Sequence, residues 1–153
     1  MRIEAIDAGN EAAGILIAQS DEYMEALYPS ISNHLESVEA LAQSNVLFVG
    51  IYSGSELVAC GAVKTRDDDG GYGEIKRMFV IEQHRGNGIS KAIMAHLENH
   101  LLASGVKTAR LETGIRQPAA LGLYRKIGYV ERSPFGGYIK DPLSIFMQKS
   151  LAA

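Results

Sequence analysis

The residues best able to do chemistry lie between Glu74 and Leu97. EIKRMFV reads as an apolar strand, IEQHRGNG as a tight turn with a basic residue and two glycines, and ISKAIMAHL as an amphipathic helix. A strand that delivers a glycine turn to a helix N-terminus is a phosphate-binding device. The first helical N–H groups lack intrahelical acceptors, and the macrodipole adds partial positive charge there. Gly86 and Gly88 have no Cβ, so their backbone can approach a ligand and adopt unusual dihedrals. Arg85 and Lys91 add full positive charge beside the turn. Two rival phosphate motifs fail. Lys91 stands where a dinucleotide fingerprint needs its third glycine, and no G-x-x-x-x-G-K-[ST] loop occurs.

Gln83-His84-Arg85-Gly86-Asn87-Gly88 resembles the Q/R-x-x-G-x-G/A signature of the GNAT superfamily of N-acetyltransferases. That resemblance, which covers most of the chain from Val46 onward, implies acetyl-CoA as cosubstrate. Its pyrophosphate would lie against Arg85, Gly86, Asn87, Gly88, Ile89 and Ser90. Ser90 replaces a frequent glycine, a mild change because serine suits a helix N-terminus. The resemblance also sets the pantetheine arm along Met78, Phe79 and Val80. Their backbone would pair with it like an added strand, and one N–H would polarise the acetyl carbonyl. Leu123-Tyr124-Arg125-Lys126-Ile127-Gly128-Tyr129 resembles the family's L-Y-x-K-x-G-F/Y run, which implies that the Tyr124 hydroxyl approaches the coenzyme sulfur and acts as an acid. Gln117 stands where many members carry a coenzyme-contacting asparagine.

Acetyl transfer to an amine requires a held thioester, a neutral nucleophile, a donor for the oxyanion and a proton for the departing thiolate. Two glutamates compete as base. Glu74 resembles the base of the histone-acetylating branch, and Glu112, by its spacing to Gln117 and Tyr124, that of the ribosomal-protein-acetylating branch. Glu74 is favoured, although either residue could instead pair with Lys76, Arg77 or Arg110. With a reference pKa of about 4.3, a carboxylate is a weak direct base for an amine, which points to a water relay. The acceptor loops are Tyr28–His34 and Ser133–Asp141, with Tyr28, His34 and Tyr138 as substrate-binding candidates. The reading is direct attack, in a ternary complex, by a primary amine of a small or amino-acid-like molecule. The alternatives are a protein N-terminus or lysine as acceptor, and a non-catalytic acyl-CoA sensor.

These residues need elements to position them. Arg2 to Ile6 alternates as a strand, Glu11 to Tyr28 reads as helix with a restart at Ser20-Asp21, and Ser37 to Gln43 as a short helix. On the first helix, Ile15, Ala18, Met24 and Leu27 are the apolar positions. Val46–Tyr52 and Glu56–Thr65 form a hairpin, followed by the strand Tyr72–Val80. The helix from Gly88 to Ser104 turns Ile89, Ala92, Ile93, Leu97 and Leu101 to one face, with Gly105 as its stop. A strand at Thr108–Thr113, a helix opening at Pro118 and closed by Gly128, and strands at Tyr129–Arg132 and Leu143–Leu151 complete the chain. The order predicts an α+β fold, a mixed central β-sheet flanked by helices, as one GNAT domain over residues 1–153.

Bulk properties narrow the partners. The chain has 153 residues, 46% hydrophobic and 22% charged, with a net charge of −3, which does not suggest a broad nucleic-acid surface. One cysteine excludes an intrachain disulfide, no apolar run reaches the length of a membrane span, and the start has no secretory h-region. The expectation is a cytoplasmic protein with no metal. Asp67-Asp68-Asp69 lacks the calcium-loop spacing, His96 and His100 lack the H-E-x-x-H pattern, and Cys60 reads as core. Homodimerisation is common in the family; the sequence does not decide it.

Overall fold

A computed structural model describes residues 1–29 and 36–152. The elements in order are β1 (Arg2–Ala5), α1 (Glu11–Leu27), α2 (Val38–Leu41), β2 (Val46–Ser53), β3 (Glu56–Arg66), β4 (Tyr72–Val80), α3 (Ile89–Ala103), β5 (Thr108–Gly114), α4 (Pro118–Lys126), β6 (Val130–Arg132) and β7 (Ser144–Ser150). The strands form one seven-stranded sheet in the order β1-β2-β3-β4-β5-β7-β6. Only β4 and β5 pair in parallel, because α3 carries the chain between them; the other neighbours are antiparallel. The mixed α+β sheet expected from the sequence is therefore present.

The core forms two layers. Ile93, Met94, Leu97 and Leu101 of α3 pack with Leu121 and Tyr124 of α4 against Val49, Val63, Ile75 and Leu111 of the sheet. Ala13, Leu16 and Ile17 of α1 and Leu41 of α2 pack with Phe48, Cys60 and Ala62 in a second cluster. Burying each such aliphatic side chain is worth about 1.5–3 kcal/mol. Gly73 and Gly61 bring helix and sheet together. A Cβ on Gly73 would lie 2.3 Å from Leu101, and one on Gly61 2.6 Å from both Ile93 and Met78.

Two helix details differ from the sequence reading. No break occurs at Ser20-Asp21: α1 runs unbroken, and Ser20 is buried in line with Ala13, Leu16 and Ile17. Serine and aspartate cost a helix interior only a few tenths of a kcal/mol, which this continuous buried face overrides. Ile15, expected on the apolar face, is 56% exposed. On α3 the buried face includes Met94 instead of Ala92. The helix ends agree with expectation. Asn10 caps α1 by accepting from the Ala13 N–H at 2.7 Å. Tyr28, extended because Pro29 follows it, ends the helix. Gly105, at φ 80°, closes α3 as the Val106 N–H reaches the Leu101 carbonyl at 2.8 Å.

Candidate active site

The sheet opens where β4 and β5 meet. Their parallel ladder joins Gly73 to Ala109, Glu74 to Arg110 and Ile75 to Leu111, and ends there. Past Ile75, β4 stays paired with β3 but bulges: Cys60 opposes Phe79 and Ala62 opposes Lys76, so Arg77 and Met78 share Gly61. Arg77 adopts φ 57°, a left-handed conformation that costs a non-glycine residue about 1–2 kcal/mol. The bulge bends β4 away from β5 and leaves a cleft between them. Its walls are Lys76 to Phe79 of β4, Leu111 to Gly114 of β5, Gln117 and Tyr124 at α4, Ser20, Tyr23 and Met24 of α1, and Tyr138.

At one mouth of the cleft lies the glycine turn. Gly86 and Gly88 have φ values of 81° and 75°, and a Cβ at either would meet nothing within 4 Å. They are glycine for their backbone conformation and the open space beside them, not for packing. No side chain caps α3, and its first backbone bond runs from the Ala92 N–H to Gly88 at 3.1 Å. The preceding N–H groups are available to an anion, so the turn fits a phosphate. Arg85 departs from the simple expectation of a charge pointing at the turn. Its Nε donates to the Val80 carbonyl at 2.9 Å, and its guanidinium lies over the rings of Tyr23 at 4.8 Å and Phe79 at 5.7 Å. Asn87 donates to the His84 carbonyl at 3.3 Å and so fastens the turn to itself.

Tyr124 reaches the cleft from α4. Its ring is buried against Tyr129, centroids 6.1 Å apart. Burial, reinforced by the negative charge of Glu112, pushes its hydroxyl up to about 12, so it is protonated at neutral pH. Among the described residues that hydroxyl has no hydrogen-bond partner. Glu112 lines the same cleft from β5.

Glu74, the base favoured by the sequence, is placed differently. It does not belong to the cleft wall, and its side chain is 3% exposed. Oε2 accepts from the Tyr138 hydroxyl at 2.6 Å and from Lys76 at 3.2 Å, and Arg66 lies 3.8 Å from Oε1. Side chains alternate between faces along β4, and Glu74 falls on the face covered by the Tyr138 loop. Tyr138 accepts from Lys76 at 2.8 Å and packs edge-on to Phe135. Burial and the neighbouring Glu74 charge raise its pKa.

The other candidates divide. Met78, Phe79 and Gln117 line the cleft, whereas the side chains of Val80 and Ile89 are buried in the core and Ser90 stands in the first turn of α3 beside the glycine turn. Tyr28 is not on the wall but behind the β5–α4 turn. Its hydroxyl donates to Gln117 Oε1 at 3.2 Å and accepts from the Arg116 N–H at 3.1 Å. His34 lies outside the described residues. Cys60 is core, its thiol donating to the Arg77 carbonyl at 3.3 Å and pushed up to about 12 by burial. The sequence reading missed Tyr23, Lys76 and Arg77 as cleft residues. The one available signal was two adjacent cations inside an otherwise apolar strand, EIKRMFV. Among the described residues no three His, Cys, Asp or Glu side chains gather as a metal site, and no helix is long and apolar enough to cross a membrane.

Comparison with known proteins agrees with this geometry. The model of the Acetyltransferase (GNAT) family matches residues 14–129. The IAA acetyltransferase of Azospirillum brasilense is 43% identical over 136 residues, 89% of this chain and 88% of that protein. An acyl-CoA N-acyltransferase structure from Klebsiella pneumoniae superposes with a TM-score of 0.83 at 36% identity, covering 99% of this chain and 97% of that one. The PaiA N-acetyltransferase of Thermoplasma acidophilum, solved in complex with coenzyme A, shares the fold at a TM-score of 0.72 and 20% identity, over 98% of this chain and 99% of its own. An opened β4–β5 pair, an uncapped glycine turn and a buried, protonated tyrosine thus occur in a chain that belongs to the GNAT family and is one of its N-acetyltransferases.

Proposed function

We propose that this enzyme transfers the acetyl group of acetyl-CoA to the primary amine of a small molecule, by direct attack within a ternary complex. The observation that carries the reading is the cleft beyond the end of the β4–β5 ladder, which Tyr124 and Glu112 both line. The glycine turn at Gly86–Gly88 would take the pyrophosphate, and the exposed backbone edge of Met78–Val80 the pantetheine arm. Glu112 would draw in the acceptor ammonium and, through water, remove its proton. The amine lone pair then forms the new C–N bond, the C–S bond breaks with its electron pair on sulfur, Tyr124 supplies the proton that makes the free thiol, and the proton the nitrogen sheds as the amide forms passes through water back to the Tyr124 phenolate.

The choice of Glu112 over Glu74 rests on access. Glu112 borders the cleft, whereas Glu74 is tied to Tyr138 and Lys76. A small acceptor is supported by the name of the Azospirillum brasilense relative. The test is a panel of polyamines, aromatic amines, amino acids, aminoglycosides and peptides with free N-termini, incubated with acetyl-CoA while free thiol is followed. Turnover with a small amine far above that with peptides supports the proposal. Turnover with peptides alone assigns a protein N-terminus or lysine instead, and binding of acetyl-CoA without turnover assigns a sensor.

A further inference from the structure

The β4 bulge does more than separate the strands. In a regular strand Lys76 and Arg77 would point to opposite faces. Here the left-handed turn at Arg77 sends both side chains to the same residue, Glu36. Arg77 donates to the Glu36 carbonyl twice, through Nε at 3.0 Å and Nη2 at 2.8 Å, while Lys76 Nζ lies 3.1 Å from Glu36 Oε1. The remaining arm of Arg77, Nη1, pairs with Asp21 on α1. The two side chains are 4% and 9% exposed. Charges are rarely buried so deeply unless each is paired, and a planar fork suits these three bonds as a lysine could not.

We infer that Arg77 is a positioning residue that fixes the acceptor side of the cleft. It fastens α1 and the approach to α2 to the free edge of β4, and so sets how far Tyr23 and Met24 stand from the acyl-transfer position. Arg77 does not itself touch a reacting atom, since all three arms of its guanidinium are turned toward Glu36 and Asp21. The bulge thereby joins two tasks. It frees the β4 edge for the cosubstrate, and it aims the side chain that holds the acceptor wall at a fixed distance from that edge. A glycine at position 77 would satisfy the backbone better than arginine does. This chain carries arginine there against that backbone preference, as a clasp requires. This inference rests on the cleft being the acyl-transfer site proposed above.

The test uses Arg77→Gly and Arg77→Lys. Arg77→Gly relieves the left-handed conformation while it removes the clasp, and a melt of the variant checks that it is folded before kinetics are read. Kinetics are read with whichever of spermidine, tyramine and kanamycin the wild-type enzyme acetylates fastest. The expected result for Arg77→Gly is an amine KM raised by at least about tenfold, the equivalent of one charge-assisted hydrogen bond, with the acetyl-CoA KM nearly unchanged. Arg77→Lys should restore only a fraction of the loss, because a single ammonium cannot serve the Glu36 carbonyl and Asp21 together. An unchanged amine KM, or both KM values rising in step, would overturn the inference. If the wild type acetylates none of the three amines, amide exchange decides this inference, and the small-amine reading is decided separately by the wider panel above. Arg77→Gly should then accelerate exchange at Leu41 of α2 and at Ala42, which caps it, and leave α3 unchanged, whereas equal exchange in the two proteins would overturn it.

Discussion

Gly114 ends β5 at the rim of the cleft, and replacing it with alanine is a sharp test of how that rim is built. An alanine Cβ there would sit 1.8 Å from the Tyr28 hydroxyl oxygen and 2.1 Å from its Cζ. Gly114 has no positive φ, so its backbone accepts alanine, and the whole cost is steric. Tyr28 must leave, and its hydroxyl would lose the Arg116 N–H at 3.1 Å and Gln117 at 3.2 Å. Two hydrogen bonds contribute roughly 1–3 kcal/mol together, and overpacking a filled site adds about 1–3 kcal/mol. The expected destabilisation is about 2–6 kcal/mol, a drop of about 2–4 °C in Tm per kcal/mol for a chain of this size. Urea and thermal unfolding of Gly114→Ala, Tyr28→Ala and the double variant measure it. With Tyr28 truncated, the second substitution should cost less than about 1 kcal/mol, because the obstructing ring is gone. Equal costs in the two backgrounds, or a single variant within about 0.5 kcal/mol of wild type, would refute the claim that Tyr28 dictates glycine here.

Three further outcomes are expected. Gly86→Val, which meets open space at φ 81°, should stay folded at a strain cost of about 1–2 kcal/mol and lose most of the thermal stabilisation given by acetyl-CoA; an undiminished shift would remove the turn from the binding site. Glu112→Gln should lower kcat most at low pH with acetyl-CoA affinity retained, whereas Glu74→Gln should mainly lower stability, by up to about 3 kcal/mol, since it leaves Lys76 and Arg66 short of a charge; the reverse pattern in kinetics and melts would reinstate Glu74 as base. Tyr124→Phe should reduce kcat by about 10²–10⁴-fold with little change in acetyl-CoA affinity. The Tyr124 pKa is raised from 10.0 to about 12, so its contribution to stability is complete below pH 10 and lost as pH rises through 12; melts across that window should show a shallower alkaline decline in Tyr124→Phe, and identical declines would contradict its burial as a protonated group.

How much of this was readable from the sequence depended on whether the cause was local. Asn10, Pro29, Pro118, Gly105 and Gly128 mark helix ends through their own backbone and capping chemistry, and the helices begin or end beside them. Gly86 and Gly88 signalled an open turn for the same reason. Arg85 did not behave as its charge suggested, because Tyr23, distant in sequence, and Phe79 offered their ring faces to it. Tyr28 was read as an acceptor-pocket residue because it lies in a polar loop. Its place behind Gly114 depends on contacts 88 and 89 residues away that no local pattern reports. The bulge at Arg77 left only a partial trace. The alternation of Glu74-Ile75-Lys76 stops at the adjacent cations Lys76 and Arg77, but the extra residue is defined only by its register against Gly61 on β3.

The two glutamates show what decides such a case. Both lie on strands of the β4–β5 pair, on either side of the point where pairing stops. Glu74 faces Arg110 one step before the last paired residues, and Glu112 follows Leu111 one step after them. Within the ladder a carboxylate meets neighbours that claim its lone pairs, and Glu74 has Tyr138 and Lys76 on one oxygen. Just past the ladder the strands diverge, and Glu112 borders a cleft in place of a neighbouring strand. A shift of two register positions across the end of pairing thus separates a carboxylate enclosed beside Tyr138 and Lys76 from one that borders the cleft. In the proposed mechanism the β5–α4 side then supplies both proton-handling groups, Glu112 and Tyr124, while β4 supplies backbone and, through Arg77, the spacing of the acceptor wall. Changes of acceptor preference should accordingly arise from substitutions at the Arg77 clasp and the facing residues of α1, and leave the dependence of kcat on Tyr124 intact.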